Sequence, residues 1–278
     1  MDMPPKLGIV AGGTALPGLL ARSAIEGGRE VFIIALKGQA EPDVVETFDH
    51  VWVRMGSLGK ALEHLRRESV EEIVLAGPVT RPTLGELVPD GRAARFLATG
   101  AFSRGDDGLL SAIVRLLEKE EGFRVVGIPD ILDGIVAPPG VLSDRAPDTR
   151  ETADIRRGMA VLEALDLADV GQAVVVQNEV VLGIEAIEGT DALISRTGEL
   201  ARPGAGPVLV KFSKTGQELR ADQPVTGPGT VTSCVNARFS GIAVETGRSL
   251  IVDLPNTIAA ANRHNLFVTS LSRQDAEA

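Results

Sequence analysis

Apolar and polar positions come in alternating blocks along the first half of the chain. Leu7-Gly8-Ile9-Val10, Val31 to Leu36, His50 to Val53 and Glu71 to Gly77 are short runs dominated by apolar residues. Runs without a polar face suit strands buried on both sides, as in parallel sheets. Segments with helical spacing lie between them. Leu16 to Glu26 is one, with Thr14 as a candidate cap and Gly27-Gly28 as its stop. Ser57 to Glu68 is another, with Leu58, Leu62 and Leu65 on one face. Asp106 to Glu121 carries the stripe Leu109, Leu110, Ile113, Leu116 and Leu117, and Phe123 to Val126 closes the series as a strand. The alternation predicts a doubly wound (Rossmann-like) α/β domain with a parallel sheet over residues 1–134. Residues 135–140 include Pro138-Pro139-Gly140 and are expected to be an interdomain linker and hinge.

Residues 141–278 are expected to form a second, mixed α/β domain. Asp148 to Asp169 reads as a long helix led by Asp148-Thr149-x-Glu151. Val174-Val175-Val176 and Val180 to Ile184 flank Gln177-Asn178-Glu179 as a hairpin, and Thr190 to Arg196 reads as a short helix. Pro207 to Val210 is a buried strand, and Thr230 to Ala237 starts a helix. Gly241 to Val244 and Leu250 to Val252 are strands, Leu254 to Asn262 is the final helix, and Leu266 to Thr269 the final strand.

Composition narrows the function. The chain has 278 residues, 44% of them apolar, enough for one large or two ordinary cores. Aromatic residues are 3%, with no Tyr and one Trp, which argues against nucleic-acid binding by base stacking. A net charge of −10 argues against a general nucleic-acid or anionic-membrane surface, while leaving room for a local cationic pocket. The single cysteine, Cys234, rules out an intramolecular disulfide and suits a reducing compartment. Its place in a helical segment marks it as a core thiol. Met1 to Lys6 holds two prolines and no apolar stretch, and no run nears the about 18 to 20 apolar residues of a membrane span. The expectation is a soluble, cytoplasmic protein that takes any lipid into a cleft.

The chemistry concentrates between Lys211 and Thr230. This strand-to-helix connection carries Lys211, Lys214, Gln217, Arg220 and Asp222. Ligands of α/β proteins bind at such connections, cations suit phosphate oxygens, and an Asp suits a divalent metal or the activation of water. The turn Ala11-Gly12-Gly13-Thr14 offers backbone amides at a helix start for an anion, or is a tight turn that needs glycine. It lacks the G-x-G-x-x-G spacing, and Leu36-Lys37-Gly38 supplies no ribose-binding acid, so a nicotinamide cofactor is not expected. Gly105-Asp106-Asp107 reads equally as a helix cap or as a substrate or metal contact, and Glu188-Gly189-Thr190-Asp191 shares that ambiguity. The histidines, His50, His64 and His264, are scattered, and no Ser stands in G-x-S-x-G. For a hydrolase, that leaves water as the nucleophile and a carboxylate-bound Mg²⁺ as its activator.

The spacing Gln217-x-x-Arg220-x-Asp222-x-Pro224-x-x-Gly227-x-x-Thr230 resembles the signature of the LpxI family. Its members are UDP-2,3-diacylglucosamine pyrophosphatases of lipid A synthesis. Gly8 to Pro17, Ala76 to Pro82 (with Arg81), Gly105 to Leu110 and Glu188 to Asp191 resemble further family markers, in order, across roughly Lys6 to Thr269. Gly216 stands where Asn is common in the family. The resemblance implies hydrolysis to UMP and 2,3-diacylglucosamine 1-phosphate, with water attacking the α-phosphorus at a site between the domains. Asp222 would hold Mg²⁺ (or Mn²⁺) or take the water's proton. Arg220 and Lys211 would neutralise phosphoryl oxygens, and Gln217 would orient phosphates or water. Gly12, Gly13, Thr14, Arg81, Asp106, Asp107, Thr190 and Asp191 would contact substrate. The implied partner is a lipid-linked UDP-sugar, with at most peripheral contact with the inner membrane surface; a homodimer is left open. The rival reading is a non-catalytic module that binds a nucleotide sugar or phospholipid and reports its level. Asp222 speaks against it, because an anion binder gains nothing from a carboxylate beside phosphates.

Overall fold

A computed structural model describes residues 4–83, 87–100 and 105–276. The chain divides into two compact α/β units, one of residues 1–133 with 218–222, the other of 134–217 with 223–278.

In the first unit, β1 (Leu7–Ala11), α1 (Leu16–Glu26), β2 (Val31–Leu36), a short α2 (Pro42–Val45), β3 (His50–Val53), α3 (Leu58–Arg67) and β4 (Glu72–Ala76) follow the expected alternation. Next come α4 (Gly91–Ala98), α5 (Asp106–Arg115) and β5 (Arg124–Val125). The described strands form one parallel sheet in the order β3-β2-β1-β4-β5. The strand order reverses between β1 and β4, so their carboxyl ends flank the topological switch point. The apolar runs of β1, β2 and β4 are buried almost throughout, as their lack of a polar face demands.

Two helical features depart from the expectation. The unforeseen helix α4 starts at Asp90, whose carboxylate accepts the N–H groups of Arg92 and Ala93 and, across from α3, that of Gly59. Burial raises the Asp90 pKa, and these backbone donors outweigh it and hold it low. The single helix expected from Asp106 to Glu121 ends at Arg115 and continues as a π-turn, Leu116–Glu120. The wider turn buries Leu116 and Leu117 and carries Glu118.

In the second unit, β6 (Gly140–Val141), α6 (Thr149–Leu165), β7 (Ala173–Gln177), β8 (Val180–Ile184), α7 (Thr190–Gly198) and β9 (Val208–Lys211) come first. Then follow β10 (Val225–Thr226), α8 (Pro228–Asn236), β11 (Gly241–Glu245), β12 (Leu250–Ile251), α9 (Leu254–Arg263) and β13 (Phe267–Leu271). The main sheet runs β6-β13-β11-β9-β7-β8, with β9, β11 and β13 parallel, and β6, β7 and β8 antiparallel to their neighbours. Strands β10 and β12 pair separately.

Alternation along these strands sorts two cores. Val174, Val176, Val208, Val210, Ala243 and Phe267 meet Ile155, Met159 and Leu162 of α6. Val175, Leu209, Ile242, Val244 and Val268 point the other way, onto Leu193, Val231, Cys234 and Ala261 of α7, α8 and α9. The expected capping box forms: Asp148 accepts the Glu151 N–H, and Glu151 accepts that of Asp148. The hairpin turns through Asn178 and Glu179, both left-handed, with their N–H groups on Asp154.

Of the segment expected as a linker, residues 135–137 pack into this second unit, while Pro138, Pro139 and Gly140 are exposed. Ile135 and Ala137 are buried, Val136 bridges to Leu250, and the Ala137 N–H donates to Ser249. Apolar side chains at alternate positions give 135–137 a core face. Among the described residues, no helix is long and apolar enough to cross a membrane.

Candidate active site

The two glycine turns of the first unit lie side by side at the switch point. The Gly12 N–H donates to Ala76 O at 2.8 Å and the Gly13 N–H to Pro78 O at 2.9 Å. These amides, read from the sequence as bare donors for a phosphate, are therefore engaged by backbone carbonyls. The glycines serve close backbone approach. Gly77 has φ +85°, and a Cβ there would fall 2.1 Å from Gly13 O. Gly77→Ala is expected to destabilise this unit by at least about 3 kcal/mol, seen in thermal unfolding. Gly28 has a similar φ of +79° but open space around it. Gly28→Ala should cost only the left-handed backbone term, roughly 1–2 kcal/mol; equal losses at both positions would refute the close-packing explanation. Thr14 is exposed with φ +71°, and Arg81 is half-buried just beyond the second turn.

The 218–222 stretch of the signature run is a tight turn. The N–H groups of Ala221 and Asp222 both donate to Glu218 O at 3.0 Å. Ala221 packs onto the first unit's core. Asp107 accepts the Glu218 N–H at 3.0 Å. Asp107 thus holds the signature turn, a role outside the two weighed for it, and Gly105 is the residue that starts α5. The side chain of Asp106 lies outside the described residues.

Arg220 makes a fork to Glu218, at 2.9 Å from Nε and 2.8 Å from Nη2. It reaches Glu118 at 2.6 Å and Val125 O at 3.3 Å through Nη1. Glu218, and after it Glu118, raise the Arg220 pKa further, and Arg220 in turn holds Glu218 below the usual carboxylate range against its burial. The guanidinium already has two carboxylate partners in this structure. Asp222, half-buried, ends the turn that this cluster fixes.

In the second unit the polar residues gather at the carboxyl ends of the parallel strands β9 and β11, where α/β sheets bind ligands. Lys211 ends β9 and is 4% exposed. Its Nζ donates to Thr190 Oγ1 at 3.0 Å and to Val225 O at 2.9 Å. Thr190 Oγ1 donates to Glu185 Oε1 at 2.6 Å. Asp191, exposed on the first turn of α7, accepts from Ser233 Oγ at 3.0 Å.

Glu245, ending β11, is buried and accepts the Ser213 N–H at 2.8 Å and Arg273 Nε at 3.0 Å. Arg248 Nε donates to Ser213 Oγ at 2.7 Å. Burial opposes the Arg273 charge, and Glu245 outweighs it, so the Arg273 pKa rises. Gln217 accepts the Lys214 N–H at 2.7 Å, folding the loop on itself, and Lys214 pairs with Asp169. Cys234 is the expected core thiol. It is fully buried, and burial pushes its pKa up against the opposing effect of Lys211.

Sequence reasoning missed Glu185, Glu245, Arg273 and Glu118. A signal existed for Glu245, a charge closing the apolar run Gly241 to Val244. Arg273 has no local signal.

Among the described residues, no group of three or more His, Cys, Asp or Glu is set to hold a metal. A cage built wholly from protein is therefore not part of the described structure. Mg²⁺ more often takes one or two carboxylates with water and substrate phosphates, a mode for which half-buried Asp222 is a candidate carboxylate.

Two compact α/β units, the second with Lys211 and Glu245 at the carboxyl ends of its parallel strands, define a two-unit α/β protein. The chain belongs to the LpxI family: residues 6–135 match the LpxI N-terminal domain and residues 138–269 the LpxI C-terminal domain. It is 35% identical to the UDP-2,3-diacylglucosamine pyrophosphatase LpxI of Caulobacter vibrioides, over 97% of this chain and 99% of that protein. The family expected from the signature residues is thus borne out. Among solved structures, CobK precorrin-6A reductase is similar over 96% of this chain and 88% of that one, at 13% identity and a TM-score of 0.32. A likeness that distant carries no argument.

Proposed function

We propose that this chain hydrolyses the diphosphate of UDP-2,3-diacylglucosamine to UMP and 2,3-diacylglucosamine 1-phosphate. The observation that carries this reading is the end-to-end similarity to a relative of that name, with Gln217, Arg220 and Asp222 in place. The substrate is amphiphilic, so the protein approaches the inner membrane surface peripherally to take it up.

Asp222 is the proposed acid–base or metal-holding carboxylate. As a base it takes the proton of the attacking water. Mg²⁺, with Mn²⁺ as substitute, would be held by Asp222 and the substrate phosphates and would supply charge neutralisation there. The Lys211 ammonium offsets the negative charge that develops on phosphoryl oxygens. The carboxylate pairs of Arg220 support a positioning role, in which Arg220 braces the turn that presents Asp222. Gln217 shapes the loop that carries Lys214.

The proposed electrophile is the α-phosphorus. Hydrolysis in ¹⁸O-water, with products resolved by mass, tests both the reaction and the point of attack. One ¹⁸O is expected in UMP and none in the lipid phosphate. Label in the lipid product instead would place the attack on the β-phosphorus.

A further inference from the structure

We propose that Glu185 is a positioning residue that acts through the Thr190 hydroxyl to orient the Lys211 ammonium. The inference rests on the reading of Lys211 as the cation of the diphosphate site, and its core is geometric. A buried ammonium requires partners that replace its lost water. Lys211 has Val225 O and Thr190 Oγ1 at 2.9 and 3.0 Å. An ammonium only donates, so Thr190 Oγ1 is the acceptor in that contact. The one hydroxyl proton of Thr190 is then directed away, onto Glu185 Oε1 at 2.6 Å. That length falls in the range of a charge-assisted O–H···O⁻ bond. The relay therefore has one sense: ammonium to hydroxyl to carboxylate.

Glu185 is built for this place. It is 6% exposed and directly follows β8. Its N–H donates to Ala173 O at 2.9 Å, and its second oxygen accepts the Gln172 N–H at 3.1 Å. The backbone thus fixes the carboxylate from the side opposite the hydroxyl. The two links place Glu185 Oε1 within about 6 Å of Nζ, on the far side of the shared hydroxyl. Thr190, expected from the sequence to contact substrate, has its hydroxyl committed to this relay.

Glu185→Gln is the informative change because it keeps size and reverses polarity. With the amide oxygen kept on the Gln172 N–H, the amide nitrogen would donate to Thr190 Oγ1, and the threonine proton would lose its carboxylate acceptor. Glu185→Gln and Thr190→Val are each expected to lower kcat at least about tenfold with little change in KM, as for loss of one charge-assisted hydrogen bond. The double variant should be no worse than the worse single one, since both break one chain. Thr190→Ser should recover most of what Thr190→Val loses. Losses that multiply in the double variant, or a Glu185→Gln enzyme with wild-type kcat, would overturn the proposal.

A second readout needs no turnover. The ¹⁵Nζ signal of the Lys211 ammonium, assigned by its loss in Lys211→Arg, should shift in Glu185→Gln and Thr190→Val. An unmoved signal in both would overturn the relay whatever the activity. If wild-type protein fails to hydrolyse the substrate while the signal shifts as expected, the hydrolase reading falls and the relay stands. If Glu185→Gln does not fold, the Thr190→Val and Thr190→Ser pair still decides.

Discussion

Replacing Asp222 with alanine is expected to lower kcat at least about 100-fold, the lower range for losing a positioned base or metal contact. KM should hold or fall, because a carboxylate that repels phosphate leaves with the side chain. The effect should be local. The turn that carries Asp222 is closed by backbone bonds to Glu218 O and braced by Arg220, Glu118 and Asp107. Thermal unfolding of this variant and of Asp222→Asn, measured beside steady-state turnover, separates a loss of chemistry from a loss of fold. A variant that turns over near the wild-type rate would remove Asp222 from the chemistry.

Chelation is expected to have an effect as large. EDTA should abolish turnover, and added Mg²⁺ or Mn²⁺ should restore it. The chain offers three scattered histidines and one fully buried thiol, so a soft metal has no ready ligand set. Hard oxygen ligands remain, and a diphosphate supplies most of them. Full activity in rigorously metal-free buffer would exclude the metal and leave Asp222 as a simple base.

The elements were legible where burial leaves a one-dimensional trace. The all-apolar run Val31 to Leu36 announces a strand covered on both faces, and Asp148-x-x-Glu151 announces a helix start. The π-turn at Leu116–Glu120 left no such trace, because its leucines keep a helical stripe. For the candidate site the sequence offers residues and not their pairings. Arg220 looks like a phosphate ligand until Glu118, 102 residues away, is brought to it. Gly12 and Gly13 look like bare amides until Ala76 O and Pro78 O supply their acceptors. Glu185 closes the apolar run Val180 to Ile184 as Glu245 closes its own, but its pairing depends on a hydroxyl shared with Lys211. Such contacts join positions far apart in the chain, where no periodicity records them.

The most direct test of the hydrolase reading follows both fates of the substrate in one sample. Purified protein is incubated with UDP-2,3-diacylglucosamine and Mg²⁺, and bound and free species are identified by mass. Equal amounts of UMP and 2,3-diacylglucosamine 1-phosphate, growing with time and absent with Asp222→Ala, are the expected result. Substrate that binds and is recovered intact would contradict it and make the chain a binding module.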